Sequence, residues 1–179
     1  MKNITYITGN KHKAKYMAKY LGYPIEHYGI DLEEIQSLNP QKVIQHKVRQ
    51  AYEILKKPVV VEDTSLEFKA LNGLPGTLIK HFVERIPFKN ICSLLDGKDR
   101  SAVARCVIGY FDGNEEVYFE GSINGTIAEK PAGDGSFGFA EIFIPEGFAS
   151  TQSELNDEDH EKMYLIMKPI KQLKEFLEK

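Results

Sequence analysis

The centre of the sequence reads Pro58-Val59-Val60-Val61-Glu62-Asp63-Thr64 (residues 58–64). Three consecutive β-branched residues are typical of a strand that is buried on both faces, as strands are in parallel sheets covered by helices. Two adjacent carboxylates follow where this strand leaves the sheet. Ligands of open α/β sheets bind beyond the carboxyl ends of the strands, so the stretch predicts an α/β fold with a site near Glu62 and Asp63.

Helical and strand-like patterns alternate on both sides of this run, which predicts a mixed sheet flanked by helices. The predicted strands are 3–8, 25–30, 58–61 and an antiparallel meander over 101–128 with turns at Asp112-Gly113-Asn114 and near Asn124-Gly125. The predicted helices are 11–21, a second one that begins at Asn39-Pro40 and carries Val43, Lys47, Ala51 and Leu55, and a last one with Met163, Ile166, Met167, Ile170, Leu173 and Leu177 on one stripe.

Composition excludes several classes of protein. The chain has 179 residues, 42% of them apolar, and its 23 basic and 26 acidic side chains give a net charge of −3. This is typical of one globular domain, here residues 1–179, and a near-neutral chain lacks the basic surface that a nucleic acid polymer requires. No apolar run is long enough to span a membrane and no secretory signal is evident, so we expect a cytoplasmic protein. Cys92 and Cys106 suggest buried thiols rather than a disulfide or zinc site.

The first candidate site is the strand–helix junction Thr8-Gly9-Asn10-Lys11-His12-Lys13. Unpaired backbone N–H groups and the positive end of the helix dipole lie at such a junction, and Lys13 adds a full charge, so the junction suits phosphate. A purely structural interpretation is also open, with Asn10 as the helix cap, Gly9 as a turn residue and the lysines on a solvated face.

The carboxylates form the second candidate site. A hard cation such as Mg²⁺ would neutralise the adjacent carboxylates Glu62 and Asp63 and bridge them to phosphate oxygens, and carboxylates of the acidic loop Asp31-Leu32-Glu33-Glu34-Ile35-Gln36 could contribute to the same site. The alternative for Asp63 is a helix cap or a solvated turn, and the alternative for the loop is a solvated face.

Taken together and in this order, the motifs resemble those of the inosine triphosphate pyrophosphatase family. The resemblance rests on 8–13, on 31–36, on Val61-Glu62-Asp63-Thr64-Ser65-Leu66, on Ala70-Leu71-Asn72-Gly73-Leu74-Pro75-Gly76 and on Phe137-Gly138-Phe139 with the following 142–147. An ordered series is far more specific than any single short motif. The series covers residues 2 to about 155, which is most of the chain.

The resemblance implies an elongated mixed sheet flanked by helices, two lobes around a central cleft, and a homodimer. It implies Mg²⁺-dependent hydrolysis, with Mn²⁺ as a substitute metal, of a non-canonical purine nucleoside triphosphate to monophosphate and pyrophosphate. By the same resemblance Thr8, Asn10, Lys13 and Thr64 bind substrate, Lys13 and Asp63 are catalytic, Glu34 and Asp63 hold the metal, and Phe137 and Phe139 stack on the base.

The chain departs from the family pattern in the half that recognises the base. Ala140-Glu141 replaces an Asp-Pro pair, and His160-Glu161 and Tyr164-Leu165-Ile166 stand where the family has Lys-Asn and Ser-His-Arg. Losing several buried hydrogen-bonding groups would relax base selection. Altered base specificity and a non-catalytic nucleotide-binding protein are therefore the alternatives, and a further basic contact on the second helix is either His46 or Lys47.

Overall fold

The computed structural model describes residues 2–134 and 138–179. In chain order the elements are β1 (Thr5–Ile7), α1 (Lys11–Leu21), β2 (Glu26–Tyr28), α2 (Pro40–Leu55), β3 (Val59–Phe68), β4 (Pro75–Gly76), α3 (Ile79–Arg85), α4 (Phe88–Ser93), β5 (Ser101–Phe111), β6 (Glu116–Ile127), β7 (Phe143–Pro145), α5 (Asp157–Met167) and α6 (Ile170–Leu177), with short 3₁₀ turns at Lys69–Leu71 and Gln152–Glu154.

The strands described form a seven-stranded mixed sheet in the order β2-β1-β3-β5-β6-β7, with β4 paired to β3. β1 is parallel to both β2 and β3, whereas the β3–β4 and β6–β7 pairs are antiparallel. The α/β fold class and the mixed sheet expected from the sequence are confirmed.

The chain divides into two compact units. The first comprises Met1–Asp63, Cys106–Glu120 and Pro169–Lys179. Its helix α2 places Ile44 and Val48 against Val59 and Val61 of β3, and all four are buried. Odd-numbered residues of β3 therefore face α2, because successive side chains of a strand point to opposite faces.

The second unit comprises Thr64–Arg105 and Gly121–Lys168. Its core is a separate cluster around Leu66, Phe68, Ile91, Ile123 and Phe143. Each unit thus has apolar packing of its own. Within the described residues, no helix combines the length and the apolar character needed to cross a membrane.

Two of the predicted element boundaries are wrong. The last helix is not continuous: α5 ends at Met167 and α6 begins at Ile170, because Pro169 has no N–H to continue the first helix. Ile166, placed on the apolar stripe, is 57% exposed. No turn interrupts the chain at Asn124-Gly125 either, because β6 runs through it and pairs Gly125 with Pro145 of β7.

Candidate active site in the first unit

The loop between β1 and α1 is held by its own polar side chains. The Asn10 side-chain oxygen accepts hydrogen bonds from the backbone N–H groups of His12 and Lys13, at 2.9 and 3.2 Å, and so caps α1. The Asn10 N–H donates to the Thr8 hydroxyl at 3.1 Å. The capping role considered for Asn10 is therefore confirmed, and phosphate binding by Thr8 and Asn10 stays a prediction.

Glycine is required where this loop approaches the segment after β2. A Cβ atom added to Gly29 would lie 3.1 Å from the Cα of Gly9, closer than nearly all real contacts of this kind. The Thr8 N–H also donates to the carbonyl of Tyr28 at 2.8 Å. The two backbones are in direct contact, which fixes the position of the α1 N-terminus.

Lys13, on the first turn of α1, forms an ion pair with Glu62. Its Nζ lies 2.9 Å from Glu62 Oε1, and the Glu62 side chain is only 2% exposed. The parallel register explains the meeting: Ile7 lies beside Val61, so Thr8 and Glu62 follow side by side. Glu62 belongs to the predicted carboxylate motif, but its pairing with Lys13 could not be predicted from the sequence alone.

Lys47 occupies the centre of the acidic group. Its Nζ lies 2.9 Å from Glu34 Oε1 and 3.0 Å from Asp63 Oδ1, and the residue is 8% exposed. Of the two candidates on the second helix, Lys47 is the one that contacts these carboxylates, and a phosphate contact by His46 or Lys47 stays a prediction. The signal was in the sequence, since Lys47 falls on the stripe that carries Val43 and Ala51 and therefore faces the sheet.

Burial and charge act against each other at this pair. Burial raises the pKa of the Asp63 carboxyl, and the Lys47 ammonium lowers it only in part. Burial alone would lower the pKa of Lys47, but the Asp63 and Glu34 carboxylates outweigh it and the pKa is raised. Lys47 is therefore firmly protonated, while Asp63 is a stronger base than an exposed aspartate.

Glu34 and Asp63 have the donor chemistry of a magnesium site. Among the described residues, no group of three His, Cys, Asp or Glu side chains converges as a complete metal cage. Mg²⁺ is commonly held by one or two carboxylates together with water and substrate phosphates, rather than by an all-protein cage. Two carboxylates in the same unit as the predicted phosphate site at the start of α1 fit that pattern.

The remaining predicted contacts belong to the second unit. The Thr64 hydroxyl is buried, with no hydrogen-bond partner within 2–134 and 138–179. Phe139 is 5% exposed and packs edge-on against Phe143, at 5.9 Å between ring centres, so its ring forms part of the core cluster. Its stacking on a base stays a prediction, and Phe137 lies outside the described residues.

The residues on α5 that depart from the family pattern differ in their exposure. Tyr164 is buried on α5, whereas Leu165 and Ile166 are 47% and 57% exposed. His160 stacks on Tyr164 at 6.4 Å, and burial lowers the pKa of its imidazole. Neither exposed side chain can donate or accept a hydrogen bond.

Comparison with known proteins identifies the family of this chain. The sequence model of the Ham1 family matches residues 4–176. The chain belongs to the Ham1 family. Among similar proteins, "Inosine triphosphate pyrophosphatase 2" of Trypanosoma cruzi is 41% identical over 165 residues, which cover 89% of this chain and 84% of the relative. The "dITP/XTP pyrophosphatase" of Methanopyrus kandleri is 38% identical over 161 residues, covering 87% and 86%.

A solved Ham1 structure supports the fold. The Ham1 protein of Staphylococcus aureus aligns with a TM-score of 0.82 at 27% identity and covers 98% of each chain. The resemblance found from the ordered motifs is therefore confirmed at the level of the Ham1 family and its fold.

Proposed function

We propose that this Ham1 chain is a pyrophosphohydrolase that converts non-canonical purine nucleoside triphosphates, such as ITP, XTP and dITP, to monophosphate and pyrophosphate, and so removes them from the nucleotide pool. The observation that carries the proposal is the pairing of Lys13 with Glu62 and of Lys47 with Glu34 and Asp63, beside the N-terminus of α1. The printed names of the relatives support the same reaction class.

The chemistry needs charge neutralisation on the phosphates and an activated water. Lys13 and the N-terminus of α1 offer positive charge to the phosphate oxygens. Asp63 would accept the proton of the attacking water as a positioned general base.

Magnesium dependence is part of the proposal. Glu34 and Asp63 would hold the ion, with Mn²⁺ as a substitute. A bound divalent cation would neutralise phosphate charge and lower the pKa of a coordinated water. The donor types support the assignment, because both groups are hard oxygen ligands.

The test is pyrophosphate release from ITP with and without Mg²⁺. We expect Asp63→Asn to lower kcat by about 100-fold or more, because general-base catalysis typically contributes that much. Glu53→Gln on α2 is the matched control, since that carboxylate is 67% exposed and should leave the rate unchanged. Full activity of Asp63→Asn, or no release from any nucleotide, would contradict the proposal.

A second candidate is the same hydrolysis with relaxed base selection. Leu165 and Ile166 favour it, because hydrocarbon side chains on α5 cannot read the edge of a base. A panel of ITP, XTP, dITP, ATP and GTP decides: similar kcat/KM values support relaxed selection, and a preference for ITP of several orders of magnitude contradicts it. Tight nucleotide binding without turnover in calorimetry would instead indicate a binding protein.

We also propose a cytoplasmic homodimer. The described Cys92 and Cys106 are buried thiols, as expected in a reducing compartment. The dimer rests on the family resemblance, and sedimentation equilibrium measures it directly: a single species of one chain mass at micromolar concentration would contradict it.

A further inference from the structure

Lys47 lies where a cation shared by Glu34 and Asp63 would lie. Its Nζ contacts one oxygen of each carboxylate, at 2.9 and 3.0 Å. The ammonium is buried and forms an ion pair with each carboxylate. The protein thus supplies its own cation to the two carboxylates.

The ammonium and a divalent ion cannot share this position. Mg²⁺ binds oxygen ligands at about 2.0–2.1 Å, which is shorter than the distances from Lys47 Nζ to the same carboxylates. Like charges so close also repel strongly in a buried site. A metal held by the two oxygens that Lys47 contacts therefore requires Lys47 to move away from them, and its flexible four-carbon stem allows this.

Separation of the Lys47 ammonium from Glu34 and Asp63 is unfavourable unless another anionic group pairs with it. A buried ammonium separated from its carboxylates keeps its desolvation cost and loses the attraction that offset it. An anionic ligand that arrives with the metal offers such a partner, so the two binding events favour each other. By linkage, this coupling is reciprocal.

We propose that Lys47 is an internal substitute for the divalent cation, which keeps the free protein's metal affinity low and makes metal and nucleotide bind cooperatively. The inference rests on the proposed function for the metal pair Glu34 and Asp63. Lys47 acts here as a positioning residue. It controls when the carboxylates become available.

Lys13 provides a matched control. It carries the same charge and pairs with Glu62, which neighbours Asp63 on the opposite face of β3. Removing either lysine raises the negative charge of the site by the same amount. Only removal of Lys47 vacates the position between Glu34 and Asp63.

The experiment is a Mn²⁺ titration of the nucleotide-free protein. Binding is measured by calorimetry and, independently, by the electron paramagnetic resonance signal of free Mn²⁺. We expect Lys47→Met to bind Mn²⁺ at least about tenfold more tightly than wild type, within the usual range of coupling between sites. Lys13→Met should gain no more than about threefold, as a more distant charge. Lys47→Arg, which keeps the charge, should remain close to wild type. Equal gains for Lys47→Met and Lys13→Met, or no gain for either, would overturn the inference.

Nuclear magnetic resonance of the wild-type lysine ammonium groups serves if Lys47→Met does not fold. The ¹⁵Nζ signal of Lys47, assigned by its absence in Lys47→Arg, should persist in low-millimolar Mg²⁺. It should shift or vanish when a non-hydrolysable α,β-methylene ITP is added with Mg²⁺. An unchanged signal in a complex that calorimetry shows to have formed would overturn the inference.

These readouts are independent of turnover. If ITP is hydrolysed but Mn²⁺ affinity ignores Lys47, the inference fails and the proposed function stands. If Lys47→Met binds Mn²⁺ more tightly but no nucleotide is hydrolysed, the proposed function fails, and Lys47 still occupies the cation position.

Discussion

Glu62 and Asp63 are neighbours in sequence but have different partners. Alternation along β3 directs Asp63 to the α2 side, where Lys47 lies, and Glu62 to the side of Lys13 and α1. From the sequence, Asp63 is a candidate because it follows a buried strand, Lys13 because it lies at a helix start, and Glu34 because of the family resemblance. It could not assign Glu62 to Lys13, since that pairing depends on the register of β1 against β3.

The Lys13–Glu62 pair should contribute to stability as well as to the site. We expect Glu62→Gln to lower the free energy of unfolding by about 1–3 kcal/mol, because it leaves Lys13 partly buried without its charge partner. Urea denaturation measures the change. Glu53→Gln, at an exposed pair, should stay within about 0.5 kcal/mol of wild type. Identical midpoints for the two variants would contradict this.

At the scale of elements, helix ends are the features that local sequence predicts best. Asn10 and Asn39 cap α1 and α2 by accepting backbone N–H groups, and Gly22 ends α1 in the left-handed region. All three residues are of types that predict a helix end from the sequence alone. The gap between α5 and α6 was also encoded, by Pro169, but the apolar stripe on either side of it concealed the break.

Helix α2 ends less favourably than α1. Lys56, the residue that caps its C-terminus, has a φ of 52°. This left-handed conformation is unfavourable for a residue with a side chain and costs glycine little. Lys56→Gly should therefore raise the free energy of unfolding by about 0.5–1 kcal/mol. Gly22→Ala, at φ of 84°, should lower it by a similar amount, about 1 kcal/mol. Chemical denaturation of both variants gives the signs, and a loss of stability in Lys56→Gly would refute the argument.

Glu116 links β6 to α2 through hydrogen bonds from Gln45 and Arg49, and it also accepts one from Tyr118. The Arg49 hydrogen bond, above all, lowers the pKa of Glu116 to about 2. A lowered native pKa means that the carboxylate stabilises the fold above the unfolded value near 4.5. This contribution should be lost as the pH falls from there toward 2.

Glu116→Gln should accordingly lower the free energy of unfolding at pH 7 by about 1–2 kcal/mol, allowing for solvent around Arg49. The difference from wild type should shrink on acidification below pH 4.5. Urea titrations at pH 7 and pH 3 test this, and a difference that does not change with pH would contradict it.

At the scale of the whole chain, the net charge is only −3, yet the charges are clustered locally. Lys13 at the start of α1 pairs with Glu62, and the buried Lys47 pairs with Asp63. Such a distribution suits a small anion that arrives with a cation. The family could be found from sequence because five motifs occur in order. Which bases are accepted could not, because recognition depends on side chains brought together by the fold.

The same distribution predicts no affinity for nucleic acid polymers. Without a basic surface there are few counterions to release, so duplex DNA should show no binding at physiological salt in fluorescence anisotropy. Saturable binding below about 10 µM, weakening steeply with added salt, would contradict this prediction.

The contact between Gly9 and Gly29 carries a final consequence. Because the two main chains are in contact there, the methyl group of an alanine at position 29 would press on the Cα of Gly9 and displace the loop that leads into α1. Lys13 lies on the first turn of that helix, so the displacement would also disturb the ion pair between Lys13 and Glu62. The position of the α1 N-terminus, where we propose that phosphate binds, thus depends on the absence of a side chain at Gly29.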